Sequence, residues 1–158
     1  MATGAVVVGY GPVGRTVSRL LRENEITPTV IEMNVDTVRA LRSDGVEAIY
    51  GDATHPATLG SAGIDHANNF IVSIAGLPGV EESFKVAREL NPSVQILVRA
   101  NYLREVAALQ SAGADVVVSG EGEVALGFTE AILERLGATP EQIDRERARA
   151  HAELGQSA

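Results

Sequence analysis

The stretch of this sequence best suited to chemistry is Gly9-Tyr10-Gly11-Pro12-Val13-Gly14. It matches G-x-G-x-x-G, and each glycine has its own physical task. Gly9 allows a tight turn, Gly11 lets the backbone approach a pyrophosphate, and Gly14 lets a helix pack closely on a strand. A helix opening there offers unpaired N–H groups and the positive end of its dipole to an anion. Pro12 has no N–H, so one donor is missing, while its fixed φ suits the first helical turn. The amide of Val13 is then expected to carry more of the phosphate contact. The second group is Glu32, which ends the run Val30-Ile31-Glu32 about 20 residues past the loop, where a carboxylate bridges ribose hydroxyls. A carboxylate there also repels a 2′-phosphate, which favours NAD(H) or an adenine nucleotide over NADP. Met33, its neighbour, is a candidate contact as well, and Asn34 suits the N-cap of a following helix.

These groups work only if a strand delivers the chain to the loop and a helix carries it away. Residues 5–8, 29–31, 48–50, 70–74, 94–98 and 116–118 are short β-branched runs. They are apolar throughout rather than alternating, which suits a parallel sheet buried on both faces. Helical patterns separate them. Val13, Val17, Leu20 and Leu21 make one apolar face, and Val35, Val38 and Leu41 make another, with Gly45 as a stop. Val80, Phe84, Ala87 and Leu90 end at Asn91-Pro92, and Leu103, Val106 and Leu109 precede Gly113. The alternation predicts an α/β fold: a Rossmann-like, doubly wound, six-stranded parallel sheet of strand order 3-2-1-4-5-6. In residues 121–136, Val124, Phe128, Ile132 and Leu136 form a stripe, with Leu126 and Leu133 off it. A helix apolar on two sides wants more than one partner, so it either covers the sheet or also makes a dimer contact. From Pro140 the chain turns polar, as a solvated helix or a frayed end.

Composition closes several routes. The chain has 158 residues, 45% hydrophobic and 22% charged, which is globular, and its net charge of −8 argues against a nucleic-acid partner. There is no Cys, so disulfides, thiolate nucleophiles and Cys-based metal sites are absent, and the three His have no helical ligand spacing. Lys85 is the one lysine. Tyr-x-x-x-Lys is therefore impossible, because position 81 is Glu81, and Tyr102 is followed four residues later by Val106. There is no Walker lysine and no G-x-S-x-G elbow. His55 and His66 read as surface residues. No run is long enough to span a bilayer and Met1-Ala2-Thr3-Gly4 does not open a signal peptide, so the expected location is cytoplasmic.

Together the glycine loop, Glu32, Tyr50-Gly51-Asp52-Ala53-Thr54 and Val98-Arg99-Ala100 resemble the RCK/KTN (TrkA-N) domain, the cytoplasmic nucleotide-sensing module of potassium channels and transporters. The likeness covers roughly residues 4–137. Gly51-Asp52-Ala53-Thr54, Leu59, Ala62-Gly63-Ile64 and Ala112-Gly113-Ala114-Asp115-Val116-Val117 are closest to the Kef-type potassium/proton antiporter branch. The resemblance implies a domain over residues 3–137 with a polar helical tail over 138–158. It implies cofactor contacts from Asp52 and Ala53 on the adenine side, where Asp52 either accepts from the adenine amine or caps the next helix. It implies contacts from Ser73, Ile74 and Ala75 at the end of the fourth strand, and from Arg99 on a phosphate or a partner carboxylate. Glu121 and Glu123 either complement a helix dipole or, as in related ATP-binding domains, help to hold a cation.

The expected function is a nucleotide-sensing regulatory domain of a potassium transport system, without catalysis. It binds NAD(H) or AMP, ADP or ATP and gates transport through the geometry of a homodimer joined to a channel or antiporter membrane domain. Two alternatives stay open: an NAD-dependent oxidoreductase, or a free-standing redox-sensing dinucleotide-binding protein.

Overall fold

Each β-branched run becomes a strand of one parallel sheet. The computed structural model describes residues 4–157. Met1, Ala2, Thr3 and Ala158, at the two ends of the expected domains, lie outside the described residues. The strands are β1 (Gly4–Val8), β2 (Thr27–Glu32), β3 (Glu47–Tyr50), β4 (Asn69–Val72), β5 (Gln95–Ala100) and β6 (Val116–Ser119), in the order β3-β2-β1-β4-β5-β6. All neighbours are parallel, with Val8 of β1 level with Ile31 of β2 and Val72 of β4. The chain switches direction across the sheet between β1 and β4, which opens a crevice at their carboxyl ends. β4 stops at Val72, two residues earlier than the apolar run predicts, so Ser73 and Ile74 belong to a loop.

The connecting helices are α1 (Pro12–Glu23), α2 (Val35–Ser43), α3 (Pro56–Ser61), α4 (Val80–Leu90) and α5 (Val106–Ser111), with 3-10 turns at Ile64–His66 and Leu103–Glu105. Val6 and Val8 of β1 join the large core of Phe70, Phe84 and Ile96, whereas Ala5 and Val7 face the other way, against Leu21 of α1. Val38 and Leu41 of α2 pack on Val30 and Ala48. On that side β6 is left bare: Val116 and Val118 are exposed, while Val117 packs into the large core.

The face that α1 buries differs from the one its apolar residues predict. Gly14, Ser18 and Leu21 point at the sheet, whereas Val13 and Leu20 are exposed. Close approach decides this. Gly14 lies so near Gly9 that only small residues fit beneath the first two turns, and the buried Ser18 hydroxyl has no hydrogen-bond partner.

Asn91 shows how a helix stop becomes a clamp. Its Nδ2 donates to the carbonyls of Ile64 (2.9 Å) and Ala67 (2.7 Å), and its Oδ1 accepts from the Ser93 amide (3.2 Å). The buried side chain thus ties the end of α4 to the turn that feeds β4. Asn91→Ala takes a donor from both carbonyls, of which that of Ile64 keeps the Ala67 amide at 3.2 Å, and is expected to lower stability by about 1–3 kcal/mol, read as a lower urea midpoint. An unchanged midpoint would show that water replaces the clamp.

α6 (Gly120–Arg135) and α7 (Pro140–Ser157) follow β6 and pack on each other. Ser119 caps α6 by accepting from the Gly122 amide (3.1 Å). Gly122 and Leu126 are buried, and Arg147 of α7 pairs with Glu130 of α6 at 3.1 Å. The polar tail is therefore an ordered helix through Ser157. Among the described residues, no helix is long and apolar enough to cross a membrane.

Candidate functional site

β1 delivers the glycine loop to the crevice. Gly9 has φ +93°, and its amide donates to the Ile31 carbonyl at 2.9 Å, which fixes the turn against β2. Pro12 is the first residue of α1, and no side chain caps that helix. Val13 and Gly14, as first-turn residues, have amides with no intrahelical partner. No atom lies within 4 Å of where a Cβ on Gly11 would sit, so that side of the loop is open. A Cβ on Gly14 would lie 2.2 Å from the Gly9 carbonyl oxygen. The three glycines therefore differ in kind: one turns, one faces open space and one lets α1 touch β1.

Glu32 is knitted into this loop. Its Oε2 accepts from the Tyr10 amide at 3.1 Å, and its Oε1 accepts from the amides of Met33 and Asn34 at 3.0 Å each. Asn34 in turn caps α2 by accepting from the Thr37 amide at 3.0 Å. A carboxylate offers about four lone-pair sites, so one remains, on the oxygen nearest the glycine loop. That oxygen suits a single ribose hydroxyl. Tyr10 itself faces away, with the Arg15 guanidinium 5.6 Å from its ring and its side chain against the α2 cluster.

A cavity of about 100 Å³ lies between these groups. It brings together Gly9, Glu32, Met33, Ala53 and Ile74 of the expected site. It also includes Gly51 and Leu77, which sequence reasoning did not assign to the site. Leu77 sits in the irregular loop between β4 and α4, where no periodicity marks it. The available signal was an apolar residue flanked by Gly76 and Pro78 in an otherwise turn-forming stretch. Thr54 packs near Gly79, so the loops after β3 and β4 support each other as walls.

The remaining expected residues lie around the cavity rather than in its lining. Asp52 closes a turn on its own loop: Oδ1 accepts from the amide (2.9 Å) and hydroxyl (2.7 Å) of Thr54, and Oδ2 lies 3.8 Å from His55 Nε2. The Thr54 hydrogen bonds hold its carboxyl below the usual value. Ser73 is buried beneath the glycine loop, where its hydroxyl donates to the Val8 carbonyl at 2.6 Å. It braces the loop from below. Ala75 is half-buried in the loop beyond. Arg99 Nη1 donates to the Ser73 carbonyl at 3.4 Å. Arg99 lines a different, larger cleft of about 480 Å³ between the β4–α4 loop and α5, together with Arg104, Glu81 and Glu105. Glu121 is occupied structurally, because its Oε1 accepts from the Leu103 amide at 3.1 Å.

This geometry agrees with what known proteins resemble the chain. A putative cation/proton antiporter of Escherichia coli K12, YbaL, is 36% identical over 121 residues, which is 77% of this chain and 22% of the relative. The chain thus spans about a fifth of that protein's length. The crystal structure of the TrkA-N domain of the Escherichia coli inner membrane protein YbaL superposes with a TM-score of 0.78 at 34% identity, covering 83% of this chain and 97% of that one. The Kef C-terminal domain of Shewanella denitrificans, in its AMP-bound form, has the same fold: TM-score 0.80 at 21% identity over 98% of this chain and 97% of that one. So has the GsuK channel bound to NAD, with a TM-score of 0.69 at 21% identity over 82% of this chain and 23% of that one. The TrkA-N domain pattern matches residues 5–120. With that match over most of its length, and with a parallel sheet carrying a glycine loop against Glu32, this chain belongs to the TrkA-N domain family.

Proposed function

We propose that the chain is a nucleotide-sensing regulatory domain of a cation/proton antiporter of the potassium-transporting Kef type. It binds an adenine nucleotide, AMP or NAD(H), at the carboxyl edge of β1, β2 and β3 on the cytoplasmic side of the membrane, and acts without chemical turnover. The observation that carries this reading is the Glu32 carboxylate, held against the Tyr10 amide beside the open face of Gly11. That pairing offers phosphate and ribose contacts at one place, and the one ionisable group lining the cavity is Glu32 itself, already committed to three backbone amides, among walls that include Ile31, Ala53, Ile74 and Leu77. The AMP-bound Kef relative and the NAD-bound channel favour the same two ligand types. YbaL, a putative cation/proton antiporter, favours the same transport setting.

Regulation requires a ligand to favour one of two states of the assembly. α6 supplies the second surface. Val124, Phe128, Ile132 and Leu136 are 58%, 67%, 55% and 76% exposed, an apolar stripe along α6 and its C-cap. A second copy of the chain covers this stripe in the working molecule, and dimer geometry passes the bound state to the membrane domain.

Calorimetry with AMP, ADP, ATP, NADH and NADPH tests the binding half. Ligands without a 2′-phosphate are expected to bind, and NADPH to bind about tenfold or more weakly. Equal binding of NADPH, or turnover of NADH with carbonyl or quinone acceptors, overturns the reading. Sedimentation tests the assembly half: the wild type sediments as a dimer, and Phe128→Asp with Ile132→Asp as a folded monomer. A monomeric wild type removes dimer geometry from the mechanism.

A further inference from the structure

Sulfur is scarce in this chain: no Cys and two Met, of which Met33 is the one among the described residues. Met33 also stands at the one cavity where Glu32, Gly9 and the β3 loop meet. We propose that Met33 is an oxidation site through which peroxide-class oxidants weaken nucleotide binding. The inference rests on the nucleotide reading above and adds a redox input to it.

Three observations converge on the thioether. The side chain is 63% exposed, so an oxidant in solution reaches it. Its backbone is fixed, because its amide donates to Glu32 Oε1 at 3.0 Å. It lines the cavity with Ala53, Ile74 and Leu77, so a base bound there lies against it. A thioether beside an aromatic ring is a favourable, adaptable contact. A sulfoxide is larger, polar and chiral, and it needs a hydrogen-bond donor. The two nearest amides, of Met33 and Asn34, are already committed to Glu32. The other named walls are hydrocarbon. The oxidised side chain therefore keeps its oxygen in water, and the contact with the base is lost.

The step balances with hydrogen peroxide as oxidant. A sulfur lone pair attacks one peroxide oxygen, and the S–O bond forms as the O–O bond breaks. The departing hydroxide takes up the proton released from the transferred oxygen and leaves as water. Sulfur is oxidised by two electrons and peroxide is reduced. Reductases that act on methionine sulfoxide reverse the change.

Linkage makes the coupling reciprocal. If the sulfoxide weakens the nucleotide, the bound nucleotide must disfavour the sulfoxide, and a base lying on the thioether also shields it. The experiment uses both directions, with AMP and NADH as probes. The protein is treated with hydrogen peroxide until mass spectrometry shows the Met33 sulfoxide, and affinity is measured before and after. Oxidation is expected to weaken binding roughly tenfold, and sulfoxide reductase is expected to restore it. Met33→Leu still carries Met1, and peroxide should leave its affinity, whatever its starting value, unchanged. Saturating nucleotide should slow Met33 oxidation severalfold. Full Met33 sulfoxide with unaltered affinity overturns the proposal, as does an equal loss in Met33→Leu or equal oxidation rates with and without nucleotide. Failure of the unoxidised protein to bind either probe overturns the nucleotide reading itself, so the two failures are distinct.

Discussion

Gly14→Ala is expected to abolish the proposed nucleotide binding and to lower stability by about 3 kcal/mol. On an ordinary helix the same change gains about 1 kcal/mol, because alanine is the better helix former. The sign reverses here because the new methyl would lie 2.2 Å from the Gly9 carbonyl oxygen, 2.9 Å from its carbon and 2.8 Å from Ser73 Oγ. Two of those atoms are backbone and the third belongs to the buried hydroxyl that braces the loop, so α1 has to move away from β1. That movement carries off the first-turn amides and opens the face of Gly14, Ser18 and Leu21. Gly11→Ala is the matched control. Nothing lies within 4 Å of its new methyl, so the urea midpoint is expected to stay near that of the wild type while binding falls. The pair thus separates close packing from open approach within one loop. A stable Gly14→Ala protein that binds as before would mean that α1 is not held at the distance described.

Glu32→Gln is expected to weaken AMP and NADH by about tenfold to a hundredfold and to reduce the preference against a 2′-phosphate. The carboxylate accepts from three amides and keeps one acceptor site free, whereas an amide side chain offers one acceptor oxygen and an NH₂ group with none. Either orientation sets donors against donors. If the NH₂ faces Tyr10, the glycine loop loses one of its ties to β2 and keeps that of the Gly9 amide on the Ile31 carbonyl. If it faces Met33 and Asn34, the start of α2 loses its anchor. Two of the three amides are exposed and can turn to water, so the stability loss is expected near 1 kcal/mol, well below the loss in binding. The ratio of NADPH to NADH affinity, measured by calorimetry in both proteins, isolates the charge effect. A ratio unchanged by the substitution would assign the discrimination to another group.

Much of the architecture was legible in single residues. Apolar runs marked the strands, since a central strand such as β1, buried on both faces, has no room for alternation, although β6 carries the same kind of run with one face bare. Asn34 caps α2 as its residue type and place suggested, because such a cap is a local signal. The glycine spacing and Glu32 pointed to one another because the β–turn–α–β unit has a nearly constant length. The faces were less legible. Val13 and Leu20 look like core in a periodic pattern, yet they are exposed, because glycine and serine won the contact with β1. Likewise Asp52 spends one carboxylate oxygen on Thr54, and Ser73 is a brace under the loop. Leu77 joins the cavity without any motif to announce it.

The sequence alone marked the six strands, the longer helices between them and their order in the sheet, and it raised the expectation of where an anion and a ribose would meet them, whereas no pattern marked the short α3. Those properties are written in periods of a few residues and in fixed spacings along the chain. Only the tertiary structure decided which side chains at the carboxyl edge face the cavity. That choice depends on contacts between distant segments: the Ser73 hydroxyl on the Val8 carbonyl, Glu32 on the Tyr10 amide, and Thr54 beside Gly79. Each sets the direction of a loop, and a loop has no repeating period from which its direction could be read.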